Sequence, residues 1–163
     1  MSDASTANTA LLLGTGALLL IIGALGFQYL DRLPPCEICM WQRYPHIGAA
    51  VVGIGGYSLV RSKIAPRDWG MVFGALAAFL VLTSGAIGVY HAGIEWQWWP
   101  GPNACTGAAF HIAGRLDLTA PVVRCDRAAW RLFGISLAGY NAIFSIALAA
   151  TGFALLRKGA RAA

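Results

Sequence analysis

Charge is scarce in this chain. Charged residues make up 12% of its 163 positions, and no Lys or Arg precedes Arg32. Soluble domains carry about 25% charged residues. A soluble fold of this length could not hide a hydrophobic fraction of 58%, so a bilayer must cover the remainder. The net charge of +5 raises a nucleic-acid partner as a reading. The basic residues form no continuous stripe and flank apolar runs instead, which excludes it. The chain also has no thioredoxin domain of its own. Its cysteines do not form the two close-set couples usual for a structural zinc site. By length it is one domain.

Long apolar runs are present. Residues 11–29, 69–90 and 132–156 contain no charged residue, and each is near or above the roughly 20 residues that cross hydrocarbon. A fourth run, 44–60, is short and holds Pro45 and His46; a helix starting near Cys36 restores its length, giving a span over about 38–60. Helices satisfy their own backbone groups in lipid. The predicted fold class is therefore all-α: a polytopic membrane protein, one domain over 1–163, built as a four-helix transmembrane bundle. Trp41, Trp69, Trp96, Trp98, Trp99 and Trp130 fall near span ends or in loops, where indole prefers to sit. Gly70 and Gly74, and likewise Ala49 and Gly53, have the four-residue spacing of small residues that lets membrane helices approach; ordinary bundle packing is the expected use. The first span resembles a signal peptide only superficially. It lacks a basic flank and its apolar run is long, so it is expected to be retained.

The basic residues divide evenly, six to each face. Arg61, Lys63 and Arg67 crowd one short connector, and Arg157, Lys158 and Arg161 the C-terminal tail. That density marks the cytoplasmic side. All four cysteines lie on the opposite face, as expected in an oxidising space such as the bacterial periplasm. The expectation is a multi-pass membrane protein with cytoplasmic termini and two loops over about 30–37 and 91–131 in the periplasm or an equivalent oxidising space.

Cys36-Glu37-Ile38-Cys39 is a C-x-x-C that follows Pro34-Pro35 and opens the second helix. A helix N-terminus stabilises thiolate. Cys36, Cys39, Arg43 and His46 are spaced three, four and three apart, so they share one helical face. Arg43 beside a C-x-x-C favours thiolate on Cys39; alone, it would read as snorkelling to the headgroups. Pro45 is expected to disturb the helix near His46, and His46 reads first as a packing or hydrogen-bonding residue. Zinc is the main competitor to redox exchange for the tight pair, and no metal is expected. An inert bridge is disfavoured because so small a loop restricts the unfolded chain little.

Cys105 and Cys125 lie in a Gly- and Pro-containing loop. Joining them would close about twenty residues, a staple worth roughly 3 kcal/mol. Beside a reactive dithiol on the same face, a relay is the better reading. Leu116, Leu118, Val122 and Val123 around Asp117 suggest a short amphipathic element on the bilayer surface. His91 ends the third span, a functional position for an ionisable residue. Gln28 and Asn141 are explained equally by helix–helix hydrogen bonds or a binding site.

With these features the chain resembles the DsbB family, the quinone-coupled disulfide oxidases of the bacterial inner membrane. The likeness rests on four spans, the string Cys36-Glu37-Ile38-Cys39-Met40-Trp41-Gln42-Arg43, Tyr90-His91 at the end of the third span, and Cys125 followed by Trp130, Leu132 and Gly134. It departs from the best-known members in a shorter second loop and in Pro45-His46. The resemblance implies that Cys105, paired with Cys125, forms a mixed disulfide with a DsbA-like thioredoxin-fold partner. Cys36 and Cys39 would reoxidise that pair through a Cys36–Cys125 bridge. Cys39 would face a ubiquinone or menaquinone acceptor, with Arg43 stabilising thiolate and reduced quinone and His91 lining or bordering the pocket. The rivals are a dedicated oxidase or reductase of one partner, and a non-enzymatic membrane scaffold stapled by two disulfides.

Overall fold

The computed structural model describes residues 2–102 and 123–161. Four long helices form it: α1 (Ser2–Tyr29), α2 (Glu37–Arg61), α3 (Trp69–Glu95) and α4 (Leu137–Arg161). Between α3 and α4 lies a two-stranded antiparallel hairpin, β1 (Arg131–Leu132) with β2 (Ile135–Ser136). Cys105 and the expected amphipathic element, apart from Val123, lie outside the described residues.

Three helices, α1, α3 and α4, are long and apolar enough to cross a membrane. Their outward side chains are those a bilayer would cover: Leu19, Phe79 and Phe144 are each more than half exposed. Helix α2 is the fourth member of the bundle. At 25 residues it reaches about 37 Å at 1.5 Å per residue. It is less apolar because its inner face carries Gln42, Arg43 and His46. Pro45 lies inside it without ending it.

Adjacent helices pack in the order α1, α2, α3, α4 and back to α1, with α1 also touching α3 across the bundle. Small residues permit this. A Cβ on Gly53 would stand 2.5 Å from the Ala10 carbonyl oxygen, and one on Gly70 would stand 2.9 Å from the Ala7 nitrogen. Both spaced small-residue pairs therefore serve packing within this chain. Across the other diagonal, α2 and α4 meet through polar side chains and a cavity.

Two helix ends differ from the expectation. Helix α3 continues past 90 to Glu95, so His91 is inside a helix; the chain turns only at Trp96 and Gln97, whose φ is 62°. Helix α4 starts at Leu137 rather than 132, because the preceding residues form the hairpin. Phe133 (φ 50°) and Gly134 (φ 80°) are its two turn residues, and positive φ at both is the type I′ pattern whose twist suits a two-residue hairpin. The Tyr140 hydroxyl donates to the Leu132 carbonyl at 3.1 Å, tying the hairpin to α4. Trp130, just before it, packs on Phe27 of α1 and Tyr140 of α4, with ring centroids 5.0 and 6.2 Å away.

Candidate active site

Pro34-Pro35 cannot extend a helix, and the chain enters α2 through Cys36 in an extended conformation (φ −77°, ψ 172°). Cys36 is the N-cap. Its sulfur accepts the backbone N–H of Cys39 at 3.2 Å, taking one of the donors a helix start leaves unsatisfied. The same geometry brings the two sulfurs to 2.7 Å, with the Cys36 thiol donating to Cys39. That bond, together with burial, holds the Cys36 thiol far above the ordinary thiol range. Both cysteines are free thiols, Cys36 buried and Cys39 half-buried.

His91 reaches this pair from α3. Its Nε2 stands 3.6 Å from Cys36 Sγ and 3.8 Å from Glu95 Oε1, one turn further along α3. The ring also hydrogen-bonds the Cys125 backbone. Cys125 is fully buried and shares one apolar cluster with Cys36, Ile38 and Ile94, against which Cys39, Ile87 and Trp99 pack. Cys125 is disulfide-bonded, and neither free thiol of the C-x-x-C is its partner. Arg124 beside it forks onto Asp126 at 2.8 and 2.5 Å and holds that carboxyl below the usual range.

Cys36, Cys39 and His91 bring three donor atoms within 4.8 Å of one another. Two thiolates on a tetrahedral zinc, with bonds of about 2.3 Å, stand farther apart than these sulfurs. The spacing suits formation of an S–S bond better than a metal.

The other side of Cys39 opens on a cavity of about 420 Å³ between α1, α2 and α4. Leu20, Phe27, Trp130, Leu137 and Phe144 give it an apolar wall, and Cys39, Arg43 and His46 share it, as their spacing predicts. Arg43 is anchored to α1. Nη1 donates to Gln28 Oε1 at 2.5 Å and Nη2 to the Ala24 carbonyl at 3.4 Å. Among the described residues no carboxylate pairs with it, so its charge faces the cavity uncancelled.

A polar chain joins the two sides. Gln42 Nε2 lies 2.9 Å from His91 Nδ1, and its Oε1 accepts from Asn141 Nδ2 at 2.8 Å. Asn141 Oδ1 lies 2.9 Å from His46 Nε2 and accepts from Ser145 at 3.1 Å. Ser84 closes the group by donating to the Gln42 carbonyl at 2.8 Å.

The structure thus gathers Cys36, Cys39, Arg43, His46, His91 and Cys125 at one end of the bundle, while Cys105 lies outside the described residues. His91 is not on the cavity wall. It stands behind Cys36, one residue removed from the cavity through Gln42. Glu95 was missed as a site residue. The available signal was a carboxylate four residues after His91 at the end of an apolar helix.

Comparison with known proteins agrees with this arrangement. The family model of disulfide bond formation protein DsbB matches residues 6–155. The chain is similar to disulfide bond formation protein B of Verminephrobacter eiseniae, 28% identical over 99% of this chain and 92% of the relative. It is also similar to that of Paracidovorax citrulli, 27% identical over 99% and 93%. Disulfide bond formation protein B 2 of Pseudomonas aeruginosa is 32% identical over 47% of the chain and 41% of the relative. No solved structure matches it.

Proposed function

The chain belongs to the DsbB family of disulfide bond formation proteins, and from that premise we propose that it is a membrane thiol:quinone oxidoreductase that reoxidises a DsbA-like periplasmic dithiol. The observation that carries this reading is the position of Cys39. Its sulfur touches Cys36 on one side, and on the other it lines an apolar cavity shared with an uncancelled cation.

The cavity suits a quinone headgroup. Its volume falls in the range of about 300–1,000 Å³ usual for small-ligand sites. Its wall is apolar, and His46 Nδ1 is buried there without a hydrogen-bond partner. A bound ubiquinone or menaquinone supplies an acceptor for two electrons and two protons.

The residues then act in sequence. A partner thiolate attacks Cys105, releasing Cys125 as thiolate, and the partner's second thiol closes the partner's own disulfide and frees Cys105. Cys125 attacks Cys36 of the Cys36–Cys39 disulfide, and Cys39 leaves as thiolate beside the cavity. Cys105 next attacks Cys125, restoring the loop disulfide and releasing Cys36. The partner has lost two electrons and two protons; the Cys36/Cys39 dithiol has gained them. Closing the Cys36–Cys39 bond passes them on to the acceptor. Supporting this order, Cys125 shares a cluster with Cys36, and it is disulfide-bonded while the C-x-x-C is a dithiol, the combination that precedes the last step.

The enzyme sits in the bacterial inner membrane with its termini cytoplasmic. The α2–α3 connector, with Arg61, Lys63 and Arg67, and the last turn of α4, with Lys158 and Arg161, lie at the end of the bundle away from the cysteines.

The test is anaerobic incubation of the reduced protein with a short-chain ubiquinone, followed by thiol counting with a maleimide mass tag. Loss of the Cys36 and Cys39 thiols supports the reading. Persistence of both thiols in folded protein with quinone in excess contradicts it.

A further inference from the structure

Within the cavity, nearly every polar atom is already engaged. Gln28 Oε1 accepts from Arg43, and the Tyr140 hydroxyl donates to Leu132. The Gln42 amide is held at one end by His91 and at the other by Asn141. Besides the Gln28 amide nitrogen, two groups keep unspent hydrogen-bonding capacity among the described residues. Arg43 has further N–H donors, and His46 has Nδ1, which has no partner in a side chain only 3% exposed.

We propose that His46 holds one of the two quinone oxygens through Nδ1 and exchanges a proton with it, while Arg43 holds the other. This rests on the quinone reading above. Arg43 and His46 are three residues apart on the same face of α2, so their axial offset is about 4.5 Å, which allows both to meet one ring. Both line the cavity together with Cys39.

The network fixes which nitrogen of His46 is available. Asn141 Nδ2 donates to Gln42 Oε1, so Asn141 turns its Oδ1 to His46 Nε2. Nε2 then carries a hydrogen. A neutral ring offers a lone pair at Nδ1, which accepts from a hydroquinone hydroxyl. A protonated ring offers N–H there, which donates to a quinone carbonyl. The ring therefore has a partner in both redox states, provided its charge alternates.

When Cys36 and Cys39 form their S–S bond, the two thiols give up two electrons and two protons. The electrons pass from sulfur to the ring of the acceptor. The oxygen facing His46 receives the Nδ1 proton, and a proton shed by the thiols recharges the imidazole once the hydroquinone has left. The second proton goes to the oxygen at Arg43.

Two substitutions separate the nitrogens. The amide of His46→Gln extends to where Nε2 lies and keeps the Asn141 contact. The amide of His46→Asn is shorter and falls where Nδ1 lies. Equilibrium binding of a short-chain ubiquinone and its quinol is read by quenching of tryptophan fluorescence, alongside the rate of quinone reduction and the thermal unfolding midpoint. His46→Gln is expected to unfold near the wild-type temperature yet to lose roughly 10- to 100-fold in quinol affinity and in rate. His46→Asn is expected to retain more of both.

Wild-type affinity and rate in His46→Gln would overturn the assignment. So would losses in both variants that follow their loss of thermal stability, since that marks a packing role. If the wild-type protein itself neither binds nor reduces quinone, the proposed function fails and this inference fails with it. If the wild type does both and His46→Gln matches it, only the role of His46 is lost.

Discussion

Cys36 Sγ and His91 Nε2 stand 3.6 Å apart although 55 positions separate them in the chain. The ring is held on its far side by Gln42 and backed by Glu95. Gln42 donates to Nδ1, so Nε2 carries the ring hydrogen and can stabilise Cys36 as a leaving thiolate. His91→Ala is expected to slow thiol exchange between the loop disulfide and the C-x-x-C by roughly 10- to 100-fold. Rapid-quench trapping of thiols checks this. An unchanged exchange rate would assign His91 to packing.

The two cysteine pairs should separate cleanly by mutation. Cys39→Ser is expected to abolish quinone reduction while leaving the loop disulfide able to react with a partner dithiol. Cys105→Ser is expected to block the partner reaction alone. Assay of each half-reaction decides it, and full activity in both variants would dismiss the relay.

Thiol reactivity should be unequal within the C-x-x-C. Cys36 donates to Cys39 and is buried, and its thiol is held far above the usual range. A raised pKa keeps the protonated, unreactive form as pH rises. In the reduced protein, iodoacetamide is expected to label Cys39 well before Cys36 from pH 7 to about 9, where an ordinary thiol of pKa about 8.5 is largely ionised. Peptide mass mapping reads the order, and preferential labelling of Cys36 would contradict the hydrogen-bond direction.

Asn141 binds four partners, Gln42 and His46 on α2, Ser84 on α3 and Ser145 on its own helix. It donates to Gln42 and Ser84, and its oxygen meets His46 and Ser145. Asn141→Leu leaves buried polar atoms on Gln42 and His46 without that partner. At roughly 1–3 kcal/mol for each of the two groups, the cost is about 2–6 kcal/mol. Thermal unfolding in detergent is expected to show a clear fall in midpoint; an unchanged midpoint would mean the network re-forms without it.

The spacing of Cys39, Arg43 and His46 was readable in the sequence because one helix carries all three, and helical periodicity alone sets their common face. Four helices followed from the apolar runs for the same local reason. The position of His91 was not readable. Which way α3 is rotated depends on how Gly70 and its neighbours pack on α1, a tertiary matter, and that rotation turns His91 to Cys36 instead of the cavity. Glu95 escaped because the end of α3 had been placed at 90. The hairpin escaped because Phe133-Gly134 lacks the Asn-Gly signal usual for its turn and sits in a charge-free stretch that reads as helix.

The most direct test of a relay from outer thiols to a membrane acceptor is an anaerobic mixture of three components. Purified protein in catalytic amount is combined with a reduced thioredoxin-fold partner and a soluble ubiquinone, and quinone absorbance is followed. The account predicts loss of one quinone for each partner disulfide formed, dependent on Cys39. An absorbance that stays level while folded protein and reduced partner are both present would contradict it.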